Sequence, residues 1–327
     1  MDVSIIFVNY KTKDLTINAI KSVIKKTEGL EYEIFVVDND SQDGSIEAIQ
    51  EEFNGVEIPL TPTLSLKERG SSEDLYYSPQ SSHLSGEGVP VYIIKNTVNA
   101  GFGAANNLAI RQARGKYIFC LNTDTLLINN AIKIMFDFME REENQNVGVC
   151  GGELVDGCGK PCNCGGHFPC LTELFWKFGL NRMFKKQYKK YSLTLNSDDK
   201  EYLQNIDYIT GADIFLRKSV LDKVGLFDET FFMYYEETDL CKRIKNSGYD
   251  VRLILQAKIC HLESKSNQNE TQKRILAKES ELIFYKKYKE KILFIKFLYV
   301  ILYFINGYIY KKTLYKELLK CILRSKV

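Results

Sequence analysis

An almost unbroken apolar run, Val3 to Val8, opens the chain, and its short, β-branched composition predicts a buried strand. A helical pattern over Leu15 to Lys25 follows, then a second strand from Tyr32 to Val37 that runs into the turn Asp38-Asn39-Asp40-Ser41-Gln42-Asp43-Gly44. Ser45 is placed to cap a helix over Ile46 to Phe53. Further on come a strand from Val91 to Ile94, the loop Asn99-Ala100-Gly101-Phe102-Gly103, a helix through Asn107 to Arg114 and a strand from Tyr117 to Leu121. Strands alternating with helical periods predict βαβ units, hence an α/β fold with a mostly parallel sheet flanked by helices. Each strand ends in polar residues. In open sheets of this kind ligands bind beyond the carboxyl ends of the strands, so these ends are expected to meet in one crevice.

The alternation is interrupted once. Ile58 to Pro90 holds four of the six prolines and seven serines, too polar and too broken to add core, and it reads as a disordered surface insertion. The second half carries a polar, aromatic segment from Leu171 to Tyr202, the run Tyr208-Ile209-Thr210-Gly211-Ala212-Asp213, a strand from Ile214 to Arg217 and a helix from Lys218 to Val224. Phe231 to Leu240 enters a helix continuing to Ser247, with Glu236, Glu237 and Asp239 in the first turn, where the helix dipole favours negative charge. Val251 to Leu255 is the last expected strand, and Cys260-His261 follows it.

Composition changes this picture in two places. With 45% hydrophobic and 26% charged residues, the chain can bury a sizeable core. The net charge of +2 hides an asymmetry: residues 286–327 hold eleven Lys or Arg against two Glu, about +9, which leaves about −7 for the remainder. An acidic body argues against nucleic acid, and a basic tail argues for an anionic membrane surface. Nine cysteines, an odd number, without a signal-peptide pattern at the start, predict reduced thiols and a cytoplasmic location. Five of them, Cys150, Cys158, Cys162, Cys164 and Cys170, lie near His167 in a spacing that fits no paired zinc pattern.

Several residues carry candidate chemistry. Asn122-Thr123-Asp124 directly follows a strand, where a carboxylate can hold a divalent cation against a diphosphate, although an Asx-turn has the same appearance. Asp38 sits in a similar turn and could accept from a base or a ribose hydroxyl, or simply cap a helix. The Asn99 to Gly103 loop offers backbone N–H groups before a helix, an anion cradle without the third glycine of a dinucleotide fingerprint. Clustered Glu236, Glu237 and Asp239 raise the proton affinity of at least one of them, which suits a general base, but a solvated first turn would look alike. His261, one of three histidines, is either packed or a ligand.

Taken in order, Val8-Asn9-Tyr10, Val36-Val37-Asp38-Asn39, Asn99-x-Gly101-Phe102-Gly103-x-x-Asn106-Asn107, Leu121-Asn122-x-Asp124, Gly211-Ala212-Asp213 and the Glu236-Glu237-x-Asp239-Leu240 block before Arg243 and His261 resemble family 2 glycosyltransferases of the GT-A, Rossmann-like fold, in particular the rhamnosyltransferase-like branch. The resemblance spans about Val3 to His261. It implies a donor-binding half over 1–130 and an acceptor-binding and catalytic half over 131–285; the basic composition of 286–327 makes that segment a membrane-associating tail. It further implies an inverting transfer from a nucleotide sugar, a dTDP-rhamnose or UDP-sugar, to a saccharide acceptor, lipid-linked in cell-surface polysaccharide synthesis, on the inner face of the membrane.

By the same resemblance, Asn9 and Asp38 contact the nucleoside, with Asn99, Gly101, Asn107 and Asn122 in the donor-binding set. Asp124 is the metal-binding acid, with His261 in the shell of a Mn²⁺ or Mg²⁺ ion. Glu237 is the catalytic base beside Glu236, and Gly211, Ala212 and Asp213 line the acceptor side. Two positions depart from the family: Asn122 stands where the first acid of an Asp-x-Asp element belongs, and Glu237 replaces an Asp. A sugar-nucleotide pyrophosphorylase would need a Gly-rich basic loop where this chain has Asn9-Tyr10-Lys11-Thr12. A non-catalytic saccharide-binding or scaffolding relative is the other alternative.

The tail stretch Ile292 to Tyr310 is apolar and aromatic around Lys296, flanked by lysines, and its tyrosines suit a helix lying in the headgroup region. A spanning helix and a helix packed on the domain are the competing readings.

Overall fold

The computed structural model describes residues 1–58, 88–170, 201–203, 206–262, 270–288, 291–309 and 313–325. The expected disordered insertion at 58–90 and the polar segment before Tyr202 fall largely outside these residues. Twelve strands are described: β1 (Val3–Asn9), β2 (Tyr32–Asn39), β3 (Val56–Glu57), β4 (Val91–Asn96), β5 (Tyr117–Leu121), β6 (Thr125–Leu127), β7 (Val147–Val155), β8 (Gly165–Gly166), β9 (Tyr202–Leu203), β10 (Tyr208–Ile209), β11 (Asp213–Arg217) and β12 (Asp250–His261). The helices are α1 (Lys13–Lys26), α2 (Ser45–Phe53), α3 (Phe102–Ile110), α4 (Ala131–Glu140), α5 (Lys218–Val224), α6 (Glu236–Asn246), α7 (Glu270–Lys287), α8 (Ile292–Phe304) and α9 (Thr313–Arg324).

The main sheet runs β3-β4-β2-β1-β5-β11-β7-β12-β6, with β9 paired to β12. Strands β4, β2, β1 and β5 are parallel, as the alternation of apolar runs and helices predicts. β11 then enters antiparallel between β5 and β7. Every residue of β2 is buried, consistent with a parallel strand covered on both faces. The polar residues inside these runs have partners. Ser4 Oγ donates to Glu33 Oε1 at 2.7 Å, and Arg114 closes on the same carboxylate through Nη2 at 2.6 Å, which ties the return from α3 to the amino edge of the sheet. Arg217, also buried, donates to the carbonyls of Val147 and Met139 and stacks over the Tyr117 ring, so its charge is enclosed but solvated by protein.

Three local expectations change. Ser45 is not the cap of α2: it is the first helical residue, and its N–H donates to Asp43 Oδ1 at 3.1 Å, so the aspartate caps the turn. The helix expected to run to Arg114 occupies Phe102–Ile110 instead, because its first turn is fixed by contacts described below. The last strand is longer than its apolar run and includes His261. No cysteine of the cysteine-rich stretch is in a disulfide, and two of them pack: Cys150 lies in the core of β7, and Cys164, its pKa pushed up to about 12 by burial, accepts from Leu154 N–H at 3.2 Å.

Helices α7, α8 and α9 build a second, smaller core from Leu282, Tyr285, Ile295, Tyr299, Tyr303, Leu318, Leu319 and Ile322. Tyr299 and Tyr303 of the tail stretch therefore face this core. Tyr299 is 1% exposed, its hydroxyl donating 2.8 Å to Glu281 while Lys278 sits 3.6 Å over its ring. Phenols find buried partners whenever the apolar ring is sequestered, and a carboxylate inside a neighbouring helix supplies one here.

Candidate active site

At the carboxyl edge of the sheet, β1 and β2 end in register with Asn9 opposite Asp38. Asn9 Nδ2 donates to Asp38 Oδ1 at 2.6 Å and to Ser41 Oγ at 2.9 Å. Its Oδ1 accepts from Thr12 and Thr16 at 2.9 and 2.8 Å. The Asn9 amide is thus saturated and 0% exposed. It holds Asp38 in place through these bonds.

One strand further, the turn after β5 carries Asn122, Thr123 and Asp124. The turn is closed by Thr125, whose Oγ1 donates to the Asn122 carbonyl at 2.7 Å, and by Asn122 N–H donating to Ala212 O at 2.9 Å. An Asx-turn is therefore not what holds this loop, and both Asn122 and Asp124 keep partial solvent access. Because β12 pairs antiparallel with β6, His261 lies opposite Thr125, and its Nε2 comes within 3.3 Å of Asp124 Oδ1. A hydrogen bond from Leu262 N–H to Asp124 O at 2.9 Å pins the two segments together. Thr12 Oγ1, 3.1 Å from Thr123 Oγ1, joins this turn to the Asn9 network.

A carboxylate oxygen and an imidazole nitrogen suit Mn²⁺ or Mg²⁺, with phosphate oxygens completing the shell. Among the described residues no group of three or more His, Cys, Asp or Glu side chains could hold a metal without such help. The donor set thus fits a cation that arrives with, or is completed by, a diphosphate.

Three N–H groups of the Asn99 to Gly103 loop, expected as an anion cradle, donate within the protein. Ala100 N–H donates to Asn39 Oδ1 at 3.1 Å, Gly101 N–H to Asn99 Oδ1 at 3.1 Å and Phe102 N–H to Phe232 O at 3.0 Å. All three donors are committed. Gly101 is a glycine for another reason: with φ of +87°, a Cβ there would lie 2.0 Å from Phe232 O. Asn107 also braces this segment, its amide donating to Phe227 O at 2.9 Å and accepting from Phe227 N–H at 3.1 Å. The loop is a brace that locks the 227–232 segment against α3.

That brace delivers the acidic helix start. Tyr234 and Tyr235 both adopt left-handed backbone, φ +69° and +70°, immediately before α6. Such strain persists only where the surroundings enforce it. They do so from two sides, through Gly101 at Phe232 and through α7, whose Ser280 Oγ donates to Met233 O at 2.8 Å. Glu236 is 4% exposed, with one carboxyl oxygen lacking any hydrogen-bond partner, whereas Glu237 keeps partial access and accepts from Thr238 Oγ1 at 3.2 Å. Burial pushes the Glu236 pKa well up, and the neighbouring Glu237 charge adds to it; burial raises Glu237 too, against opposing backbone N–H donors. A carboxyl held out of water retains a proton more firmly than a solvated one, and Glu236, enclosed beside Glu237, is such a group.

Asp239, third of the cluster, is fully buried against Arg243, Lys287 and Tyr288 and is an anchor. On the expected acceptor side only Gly211 keeps access. Ala212 is 2% and Asp213 0% exposed, the latter turned onto Gly152 N–H, so neither lines an open surface. The supporting residues Thr12, Thr16, Ser41, Ser280, Lys287 and Tyr288 carry no motif, and only the small hydroxyl side chains beside strand ends could have suggested the first three.

The sequence profile described as Glycosyl transferase family 2 matches residues 4–62 and 70–157. The low-salt glycan biosynthesis hexosyltransferase Agl10 of Haloferax volcanii is 23% identical over 76% of this chain and 64% of its own length. The rhamnosyltransferase WbbL of Escherichia coli K12 is 24% identical over 52% of this chain and 63% of its own length, so the chain spans somewhat under two thirds of either relative. Among solved structures, the mannosyltransferase PcManGT from Pyrobaculum calidifontis, in complex with GDP-Man and Mn²⁺, superposes with a TM-score of 0.53 at 13% identity, over 99% of this chain and 76% of that one. This likeness establishes the GT-A architecture.

Proposed function

We propose that the chain, which matches the glycosyl transferase family 2 profile over residues 4–62 and 70–157, transfers a sugar, with inversion, from a nucleoside-diphosphate donor to a saccharide acceptor in cell-surface polysaccharide synthesis. The observation that carries this reading is the approach of Asp124 and His261 to 3.3 Å at the carboxyl edge of the sheet. Asp38, held by Asn9 and Ser41, is placed to accept from the nucleoside. A divalent cation on Asp124 and His261 would neutralise the departing nucleoside diphosphate. Glu237, raised in pKa and partly accessible, takes the proton of the acceptor hydroxyl as that oxygen attacks the anomeric carbon. Glu236, more enclosed, stays protonated beside it and keeps a second negative charge out of the site.

The donor is a dTDP-, UDP- or GDP-linked sugar, a rhamnosyl or hexosyl group being what the names of the relatives specify. The acceptor is a lipid-linked saccharide met at the inner face of the membrane, a reading supported by the charge of about +9 in residues 286–327. Thermal unfolding with a panel of these nucleotide sugars tests the donor assignment, because a ligand bound only to the native state raises Tm. At least one donor is expected to raise Tm in the presence of Mn²⁺. A panel that leaves Tm unmoved, with and without Mn²⁺, contradicts the assignment.

A further inference from the structure

Helix α8 is apolar on all sides, and the structure shows where only one side goes. At 3.6 residues per turn, Ile295, Tyr299 and Tyr303 share a face, and all three are buried in the small core against α7 and α9. The opposite face carries Leu293, Phe294, Phe297 and Phe304, with 77%, 43%, 58% and 52% of their surface exposed. Helix α9 adds to the same region. Lys296 Nζ donates to Ser325 O at 2.9 Å, which brings the end of α9, where Leu323 is 66% exposed, beside α8. Large apolar side chains grouped on one outer face mark an interaction surface.

The surrounding charge selects the occupant. Exposed Lys291 and Arg324 border this face, and residues 286–327 carry about +9 against about −7 for the rest of the chain. A second copy of the tail would bring like charge against like. An anionic lipid surface brings the complementary charge and an acyl boundary that accepts phenylalanine and leucine. Even with the five-residue π-helix Ile305–Ile309 that continues the thirteen residues of α8, the stretch falls short of the roughly 30 Å of a bilayer core, and one face of it is committed to the small core. No helix among the described residues is long and apolar enough to cross a membrane.

We propose that the outer face of α8, Leu293, Phe294, Phe297 and Phe304, together with Leu323 of α9, inserts flat into the headgroup boundary of an anionic bilayer. This rests on the reading of the acceptor as lipid-linked and gives that reading an orientation. The same bundle reaches the acidic helix start through Ser280 on Met233 and Lys287 on Asp228, so the inserted face and the Glu236-Glu237 turn move as one body. An acceptor carried by the lipid surface then meets a carboxylate pair whose height above that surface is fixed.

Flotation of the full chain with phosphatidylcholine vesicles, with and without about 30 mol% phosphatidylglycerol to give a strongly negative surface, tests this. Wild type is expected to float with the anionic vesicles, less so at high salt, and not with the neutral ones. The pair Leu293→Glu with Phe297→Glu, and separately Leu323→Glu, are expected to lower the bound fraction at least roughly tenfold with Tm unchanged, since the replaced groups are largely exposed. Undiminished flotation of both variants overturns the proposal, as does a wild type that ignores anionic vesicles. A wild-type dimer in sedimentation that Leu323→Glu dissolves, without vesicle binding, assigns the face to a second copy and overturns it too. Nucleotide release measured without vesicles separates this outcome from the enzymatic reading: it is expected to be equal in wild type and in these variants.

Discussion

Lys287 Nζ lies 2.6 Å from Asp239 Oδ1, a carboxylate with no exposed surface that also accepts from Arg243 Nε at 2.8 Å and from the Tyr288 hydroxyl at 2.9 Å. Asp239 sits one turn into α6, so a lysine of the tail helix α7 holds the helix that presents Glu236 and Glu237. Lys287→Met is expected to cost about 1–3 kcal/mol, as for a buried acceptor that loses a charged donor. It is also expected to speed amide exchange over 233–239 while the sheet is unchanged, with Lys287→Arg restoring protection. Exchange in the methionine variant that matches wild type would show that α7 is a bystander.

A second expectation concerns pH. Burial, then the Glu237 charge, raises the Glu236 pKa in the folded protein, so the folded state binds this proton more tightly than the unfolded chain. The stability contributed is complete below the ordinary carboxylate value of about 4.3 and is lost as pH rises through the higher folded value. Glu236→Gln cannot ionise, so it should raise Tm near neutral pH, with the gain fading as pH falls toward about 4. A Tm difference that is independent of pH contradicts the burial argument.

Gly101 offers a sharper steric test. Its φ of +87°, and the 2.0 Å that would separate an alanine Cβ from Phe232 O, leave no room for a methyl group. Gly101→Ala should destabilise by roughly 2 kcal/mol or more. It should also lower turnover by misplacing the 232–237 segment, with the far edge of the sheet still protected from exchange. An alanine variant as stable as wild type would mean that the brace is not under tension.

Much of this is legible in the chain. The strands β1, β2 and β5 are short apolar runs whose ends carry Asn9, Asp38 and Asp124, and period alone places those residues on one edge. Strands β6 to β10 and helix α4 are not legible, because two- and three-residue strands and a glycine-rich β7 present no sustained period. The pairing of Asp124 with His261 needs the antiparallel β6-β12 ladder, which only the tertiary fold supplies. Glycines and asparagines at 99–107 look like ligand groups in the sequence because their donors are spent on distant backbone, at Phe227 and Phe232, that spacing cannot reveal. Tyr299 misleads for the same reason, since its partner Glu281 lies on another helix.

Glu237→Gln retains size and hydrogen bonding without accepting a proton. Turnover is expected to fall by roughly 10²-fold or more with donor affinity nearly unchanged. If Glu236→Gln is the more damaging change, the two carboxyls exchange roles.

The central claim is metal-assisted transfer from a nucleotide sugar at the Asp124-His261 pair. Its most direct measurement is nucleoside diphosphate released from UDP-, dTDP- and GDP-sugars by the purified chain with Mn²⁺, with chelator, and in Asp124→Ala. The account predicts release from at least one donor by wild type, with release abolished both by chelator and in Asp124→Ala while Tm without ligand stays close to wild type. Release that persists undiminished in Asp124→Ala or in excess chelator, or no release from any donor, would contradict it.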